Sequence, residues 1–200
     1  RMKDVSPFMV MEVLEQAQNM QAKGEDIIHL EIGEPDFSSP EPIKEAAQRA
    51  LQNNDTHYTH SLGKLTLREE IAAYYERKYG VNISPEQILV TSGTSPALLL
   101  IFSVLLEKGA EVILSDPYYA CYPNFIRYLE GHPVLLPVEE EDGFKYRPTA
   151  IQNAISPRTR ALMVNSPANP SGAVYSGEEL ALLAASGVPI VSDEIYNGLI

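Results

Sequence analysis

The segment VPIVSDEIY, residues 188–196, gathers side chains able to do chemistry into a short space. An apolar run ends in Asp193 and Glu194, and Tyr196 follows three residues after the aspartate. Such a run, bounded by turn formers and by charge, reads as a buried strand that stops where the acids begin. In an open parallel sheet that carboxyl end is where ligands bind. Taken alone, Asp193 reads equally as the cap of a following helix, a position aspartate favours. Three other stretches bear on the choice. Ser92-Gly93-Thr94-Ser95-Pro96 opens a long apolar helix. Its first N–H groups and the helix dipole suit an anion, although Ser and Thr also serve as ordinary caps. Asp116-Pro117-Tyr118-Tyr119-Ala120-Cys121-Tyr122-Pro123 offers rings that either stack on a flat ligand or fill the core. In Asn165-Ser166-Pro167-Ala168-Asn169-Pro170-Ser171-Gly172, two prolines and a glycine stiffen a turn, so Asn169 can be held as a hydrogen-bond donor.

Each of these stretches follows an expected strand. Strands are read at residues 88–91, 111–115, 133–138, 161–165 and 190–192, with helical patterns between most of them. That alternation implies βαβ units: an α/β fold with a mainly parallel sheet flanked by helices on both faces. All four stretches then lie along one sheet edge. Upstream, Ser6, Pro7 and the stripe Val10, Val13, Leu14, Ala17 and Met20 predict a helix closed by Gly24. A strand is expected at residues 27–32, followed by a turn at Gly33-Glu34-Pro35-Asp36. Gly33 is either a plain turn residue or bare backbone that lets a ligand approach. Helices are expected at residues 40–53 and from Leu67 to Gly80, joined by a polar, aromatic loop in which Tyr58 reads as a packing tyrosine. Glu139-Glu140-Glu141-Asp142-Gly143 reads as a solvated turn.

Composition excludes several classes. A net charge of −12 argues against nucleic acid as a partner, since a phosphate backbone is bound by clustered Lys and Arg. The chain is 44% hydrophobic and 21% charged, as in a soluble globular domain with a substantial core. Cys121 is the single cysteine, so no disulfide framework exists and a reducing compartment is the simplest setting. His29, His57, His60 and His132 show no metal-ligand spacing, and no metal site is expected. The apolar run at residues 97–106 is too short to cross a bilayer, and RMKDVSPF at the start has no apolar signal core. No membrane partner and a cytoplasmic location are therefore expected. Arg1 is not an initiator and Ile200 stops inside an apolar segment, which reads as part of a longer protein.

An anion cradle, an aromatic plate, an amide donor and a carboxylate–phenol pair together describe a flat, phosphorylated, basic heteroaromatic ligand. Pyridoxal 5'-phosphate satisfies each requirement. A carboxylate beside its pyridine nitrogen keeps the ring protonated, and the pyridinium is the electron sink for carbanion chemistry. An opposite charge at contact moves a pKa by roughly 1 to 3 units, and asparagine could not supply it.

LEIGEPDF at residues 30–37, YTHSLGKLTLREEIA at 58–72, TSGTSPAL at 91–98, DPYYACYP at 116–123, NSPANPSG at 165–172 and SDEIY at 192–196 occur in order along nearly the whole chain. Together they resemble the fold-type I, pyridoxal-phosphate-dependent aminotransferases of class I/II. The resemblance implies an N-terminal arm and small-domain segment over residues 1–45, then an incomplete large, cofactor-binding domain over residues 46–200. It implies that Gly93, Thr94 and Ser95 meet the cofactor phosphate, Tyr119 covers the ring, and Asp193 pairs with the ring nitrogen. Asn169 and Tyr196 would bond the ring's phenolate oxygen, and Gly33 with Asn169 would meet the substrate carboxylate. Tyr58 would reach the phosphate of the partner subunit's cofactor, which revises its packing role and implies a homodimer. Ser171 stands where the family usually has threonine and keeps the hydroxyl.

The family's Schiff-base lysine and carboxylate-binding arginine are expected beyond Ile200, and Lys64 and Lys108 read as solvated charges. The chain alone is therefore expected to be inactive, while the intact protein would move the amino group of an amino acid to a 2-oxo acid. Two alternatives share the frame: a carbon–sulfur β-lyase of the same fold, and a non-enzymatic, ligand-sensing regulator. No GxGxxG follows any strand, which sets aside a dinucleotide site.

Overall fold

The computed structural model describes residues 5, 7–34 and 37–199. Ser6, the expected cap of the first helix, Pro35 and Asp36 of the turn, and Ile200 lie outside them. The chain groups into two compact units, residues 10–92 and residues 93–200 together with 1–9.

The first unit holds α1 (Met9–Gln21), α2 (Glu41–Gln52) and α3 (Leu65–Tyr79), close to the spans read from their apolar spacing. Gly80 ends α3 in the left-handed conformation, with its N–H on the Glu76 carbonyl. Arg68 of α3 is a buried cation tied to backbone oxygens. It donates to Gly63 O at 3.2 Å and Pro85 O at 2.8 Å, joining the loop before α3 to a 3-10 turn at Pro85–Gln87. Gly63 is required there: its φ is +96°, and a Cβ would stand 2.7 Å from that of Val90. Lys64, expected to be solvated, pairs with Asp55.

Two expected strands do not form among the described residues. Residues 27–32 pair with no neighbour there, and Ile28 and Leu30 are exposed. At residues 88–91 no strand is formed among the described residues, although Val90 N–H donates to Leu62 O. Apolar, β-branched sequence favours extended backbone, but a strand also needs an adjacent chain for its N–H and C=O groups. Among the described residues neither segment is part of a sheet.

The second unit contains α4 (Thr94–Leu105), β1 (Glu111–Asp116), α5 (Tyr122–Tyr128), β2 (His132–Pro137), α6 (Pro148–Ala154), β3 (Thr159–Asn165), α7 (Gly177–Ala184) and β4 (Ile190–Asp193). The sheet order is β2-β1-β3-β4 and every pair is parallel. Burial on both faces follows from the period of two along each strand. Val112 and Leu114 of β1 and Ala161 and Met163 of β3 join Leu98 and Phe102 of α4 and Tyr122 and Ile126 of α5 in one core. The alternate residues Ile113, Leu162 and Val164 join Ile151 of α6 and Leu183 of α7 in the other. Ser176 caps α7 in a reciprocal box with Glu179. The acidic run forms a 3-10 turn at Glu140–Asp142, closed by Gly143 in the left-handed region.

Because all four strands are parallel, their carboxyl ends, at Asp116, Pro137, Asn165 and Asp193, share one edge. The opposite edge carries a structural charge network. Glu111, 5% exposed, accepts from Ser156 Oγ at 2.5 Å and from Arg158 Nε at 2.8 Å. The Ser156 bond first, and then Arg158, hold its carboxyl below the ordinary value of 4.5 against the opposing effect of burial. A lowered folded value stabilises the fold above the unfolded value, and the contribution fades as pH falls through the folded one. Glu111→Gln is therefore expected to cost about 1–2 kcal/mol at pH 7. The difference should shrink as pH falls from 4.5, where the unfolded carboxyl takes up its proton, through the lower folded value; urea midpoints across that range provide the check.

Candidate active site

The site is built from the ends of β3 and β4, the turn after β3 and the start of α5. Asp193 closes β4 with 9% exposure. Its Oδ2 accepts a 2.7 Å hydrogen bond from the buried Tyr122 hydroxyl, and its Oδ1 accepts the Ile195 N–H at 3.2 Å. Asp193 caps a turn at residues 195–198 rather than the expected helix, and its carboxylate is buried at the carboxyl edge of the sheet. Glu194 is its exposed neighbour, taking Ser192 Oγ at 2.8 Å and Asn197 Nδ2 at 3.3 Å.

Asn165, the last residue of β3, ties the two strand ends together. Its Nδ2 donates to Asp193 O at 3.0 Å, and its Oδ1 accepts the Asn169 N–H at 2.6 Å. The loop from Asn165 to Gly172 carries two cis X-Pro bonds, Ser166–Pro167 and Asn169–Pro170. Ser166 N–H adds a second donor to Asp193 O at 3.2 Å. So held, Asn169 donates from Nδ2 to the Tyr196 hydroxyl at 3.1 Å. Asn169 and Tyr196 therefore stand side by side at the carboxyl edge of the sheet.

Tyr119 is half-buried, with edge-to-face contacts to Tyr122 at 5.3 Å and Phe8 at 6.1 Å between ring centroids. Burial, then Cys121, Tyr196 and Asp193, push its phenol up to about 12, so it stays a neutral ring at physiological pH. Tyr122 is driven further in the same direction, by burial first and then by the Asp193 carboxylate, and it remains a donor. Tyr119, Tyr122, Asn165, Asn169 and Ser171 are among the residues lining a small, shallow cleft. Its floor includes Tyr146, whose hydroxyl bonds Met163 O at 2.8 Å.

Gly93 precedes α4 with φ 97° and ψ 177°, and no atom lies within 4 Å of where its Cβ would stand. The space beside the helix start is thus open, with Thr94 and Ser95 exposed in the first turn. The same core cluster that holds Tyr122 and Val191 holds α4 through Leu98 and Phe102. Gly33 and Tyr58 belong to the other compact unit. Tyr58 is fully exposed, and the Gly33 position is open. Among the described residues no group of three His, Cys, Asp or Glu could hold a metal, and no helix is long and apolar enough to cross a membrane.

Sequence reasoning does not single out Tyr122 and Asn165 as site residues. The aromatic run and the two carboxamides are visible in it, but their bonds to Asp193 join residues 71 and 28 positions apart. The one local signal is the spacing of Tyr119 and Tyr122, three apart at a helix start.

This donor set fits a planar, anionic pyridine: a buried, hydrogen-bonded carboxylate for the ring nitrogen, an amide–phenol pair for a ring oxygen, and a glycine-led helix start for a phosphate. Comparison with known proteins agrees. A (5-formylfuran-3-yl)methyl phosphate transaminase from Methanocaldococcus jannaschii is 41% identical over all of this chain and 52% of its own length. A probable aspartate/prephenate aminotransferase from Thermus aquaticus is 42% identical over all of the chain and 53% of its own. Among solved structures, the aspartate aminotransferase of Thermus thermophilus with maleate superposes with a TM-score of 0.94 at 39% identity, covering all of this chain and 53% of that one. The chain thus spans about half the length of the relatives it matches. Residues 25–200 match the profile of the family described as aminotransferase class I and II. The chain therefore belongs to the class I and II aminotransferases, whose members use pyridoxal 5'-phosphate.

Proposed function

We propose that the full-length protein carrying this chain transfers the amino group of an amino acid to a 2-oxo acid, using pyridoxal 5'-phosphate. The observation that carries this reading is the buried Asp193 carboxylate, bonded to Tyr122 beside the Asn169–Tyr196 pair. When bound, the cofactor supplies an electron sink for negative charge at the amino acid's α-carbon. The chain's own residues bind and orient. Asp193 sets a negative charge against the ring nitrogen, and Asn169 and Tyr196 direct an N–H and an O–H to the ring oxygen. Gly93, Thr94 and Ser95 receive the phosphate at the α4 start, where the dipole favours an anion. Tyr119 covers one face of the ring, while Gly33 and Asn169 meet the substrate carboxylate.

Tyr58, exposed at a loop tip, is assigned to the phosphate in a second subunit, making the intact protein a homodimer. Residues 1–45 are assigned to the arm and small-domain segment and residues 46–200 to the large domain. A cytoplasmic setting is supported by the single cysteine. The relatives' names point to dicarboxylic and prephenate-type substrates as the first to try.

Assay of the full-length protein with aspartate and 2-oxoglutarate, and with other amino-acid and 2-oxo-acid pairs, tests the reading. Amino transfer that requires both partners is expected. Ammonia and pyruvate from a cysteine-type substrate without an acceptor acid would instead mean a lyase.

A further inference from the structure

An aspartate carboxyl turns readily about its last bond, since that torsion is broad. At Asp193 the backbone is fixed by Asn165 Nδ2 and Ser166 N–H on the carbonyl oxygen. The carboxylate plane is then set by two donors from different elements. The Ile195 N–H reaches Oδ1 at 3.2 Å, and the Tyr122 hydroxyl reaches Oδ2 at 2.7 Å. The shorter bond comes from the better anchored donor. Tyr122 is 3% exposed, opens α5 immediately before Pro123, packs in the core with Leu98, Phe102 and Val191, and meets the edge of Tyr119. It also lines the cleft, so its ring stands between that cleft and the core while its hydroxyl serves the aspartate.

We infer that Tyr122 is a positioning residue for the cofactor, acting through Asp193: its hydroxyl fixes the carboxylate in the plane from which it meets the ring nitrogen. This rests on the proposed transaminase function, and it assigns Tyr122 a task distinct from that of Tyr119, which covers the ring. A hydroxyl that merely satisfied the core would affect folding, whereas one that acts through Asp193 must lose its effect when Asp193 is altered.

The test is a double-mutant cycle on the full-length protein, read as the dissociation constant of pyridoxal 5'-phosphate and as the absorbance spectrum of the bound cofactor. The four proteins are the parent, Tyr122→Phe, Asp193→Asn and the double variant. Tyr122→Phe removes one oxygen and keeps the ring's packing. It is expected to weaken cofactor binding about 10-fold, as the loss of one hydrogen bond to a charged group does. Its spectrum should move in the same direction as that of Asp193→Asn. In the Asp193→Asn background the same change should alter binding by less than about 2-fold. Placing 4-aminophenylalanine at position 122, which restores a donor, should return most of the lost affinity, and this also answers any loss of folding in the phenylalanine variant. Equal effects of Tyr122→Phe in both backgrounds, or none in the parent, would overturn the inference while leaving the function standing. Parent protein that binds no cofactor, or Asp193→Asn protein that binds it unchanged, would overturn the function reading and the inference together.

Discussion

Asp193→Ala in the full-length protein is expected to lower kcat/KM for transamination by about ten- to a thousand-fold, with the fold retained. The magnitude follows from the charge. An opposite charge at contact favours the protonated ring by roughly 1 to 3 pKa units, and each unit is tenfold in the population of the form that can accept electrons. Asp193→Asn is the informative companion. It preserves size and most of the hydrogen bonding but not the charge, so a loss close to that of alanine would locate the effect in the charge. Activity equal to the parent in the alanine variant, measured at saturating cofactor, would remove Asp193 from the site.

The second large effect is expected at Asn165. Its side chain makes two bonds, one to the Asn169 N–H and one to the Asp193 carbonyl, both partly buried. Asn165→Ala leaves the Asn169 N–H without that acceptor and removes one of the two donors from Asp193 O. About 2–3 kcal/mol of stability should be lost, because an unsatisfied buried group costs more than an average hydrogen bond contributes. Cofactor binding should fall with it, since Asn169 and Asp193 would both lose their shared tether. Urea titration of the cofactor-free protein and cofactor titration of the folded protein separate the two losses. A stability change under about 0.5 kcal/mol, the range of an ordinary surface substitution, would mean the tether is redundant.

The parallel sheet was legible because strand and helix patterns alternate from residue 111 onward, each strand short and apolar between turn signals. The site edge was legible for the same reason, since parallel strands bring their carboxyl ends together whatever their order. Order itself was not readable: β1 lies between β2 and β3, a choice made by long-range pairing. Residues 27–32 and 88–91 show the limit from the other side. Their composition favours extended backbone, and composition says nothing about whether a neighbour is present to pair with. Arg68 is a similar case. A basic residue in an amphipathic helix reads as a surface charge, yet it is buried because two carbonyl oxygens outside the helix receive it.

The two-residue alternation along β3 limits how this candidate site can change. Ala161 and Met163 face one core and Leu162 and Val164 the other, and Asn165 comes next in the same count. Deleting one residue within the strand would exchange the two faces and carry Asn165 about 3.3 Å along the sheet, away from both of its partners. Packing and chemistry therefore share a parity, so that a length change in the strand damages both in a single step. The exposed acidic turn at Glu140–Asp142 carries no such constraint, and insertions there leave the count intact. Variation in this fold is accordingly expected to accumulate by substitution in the strands and by length in the turns.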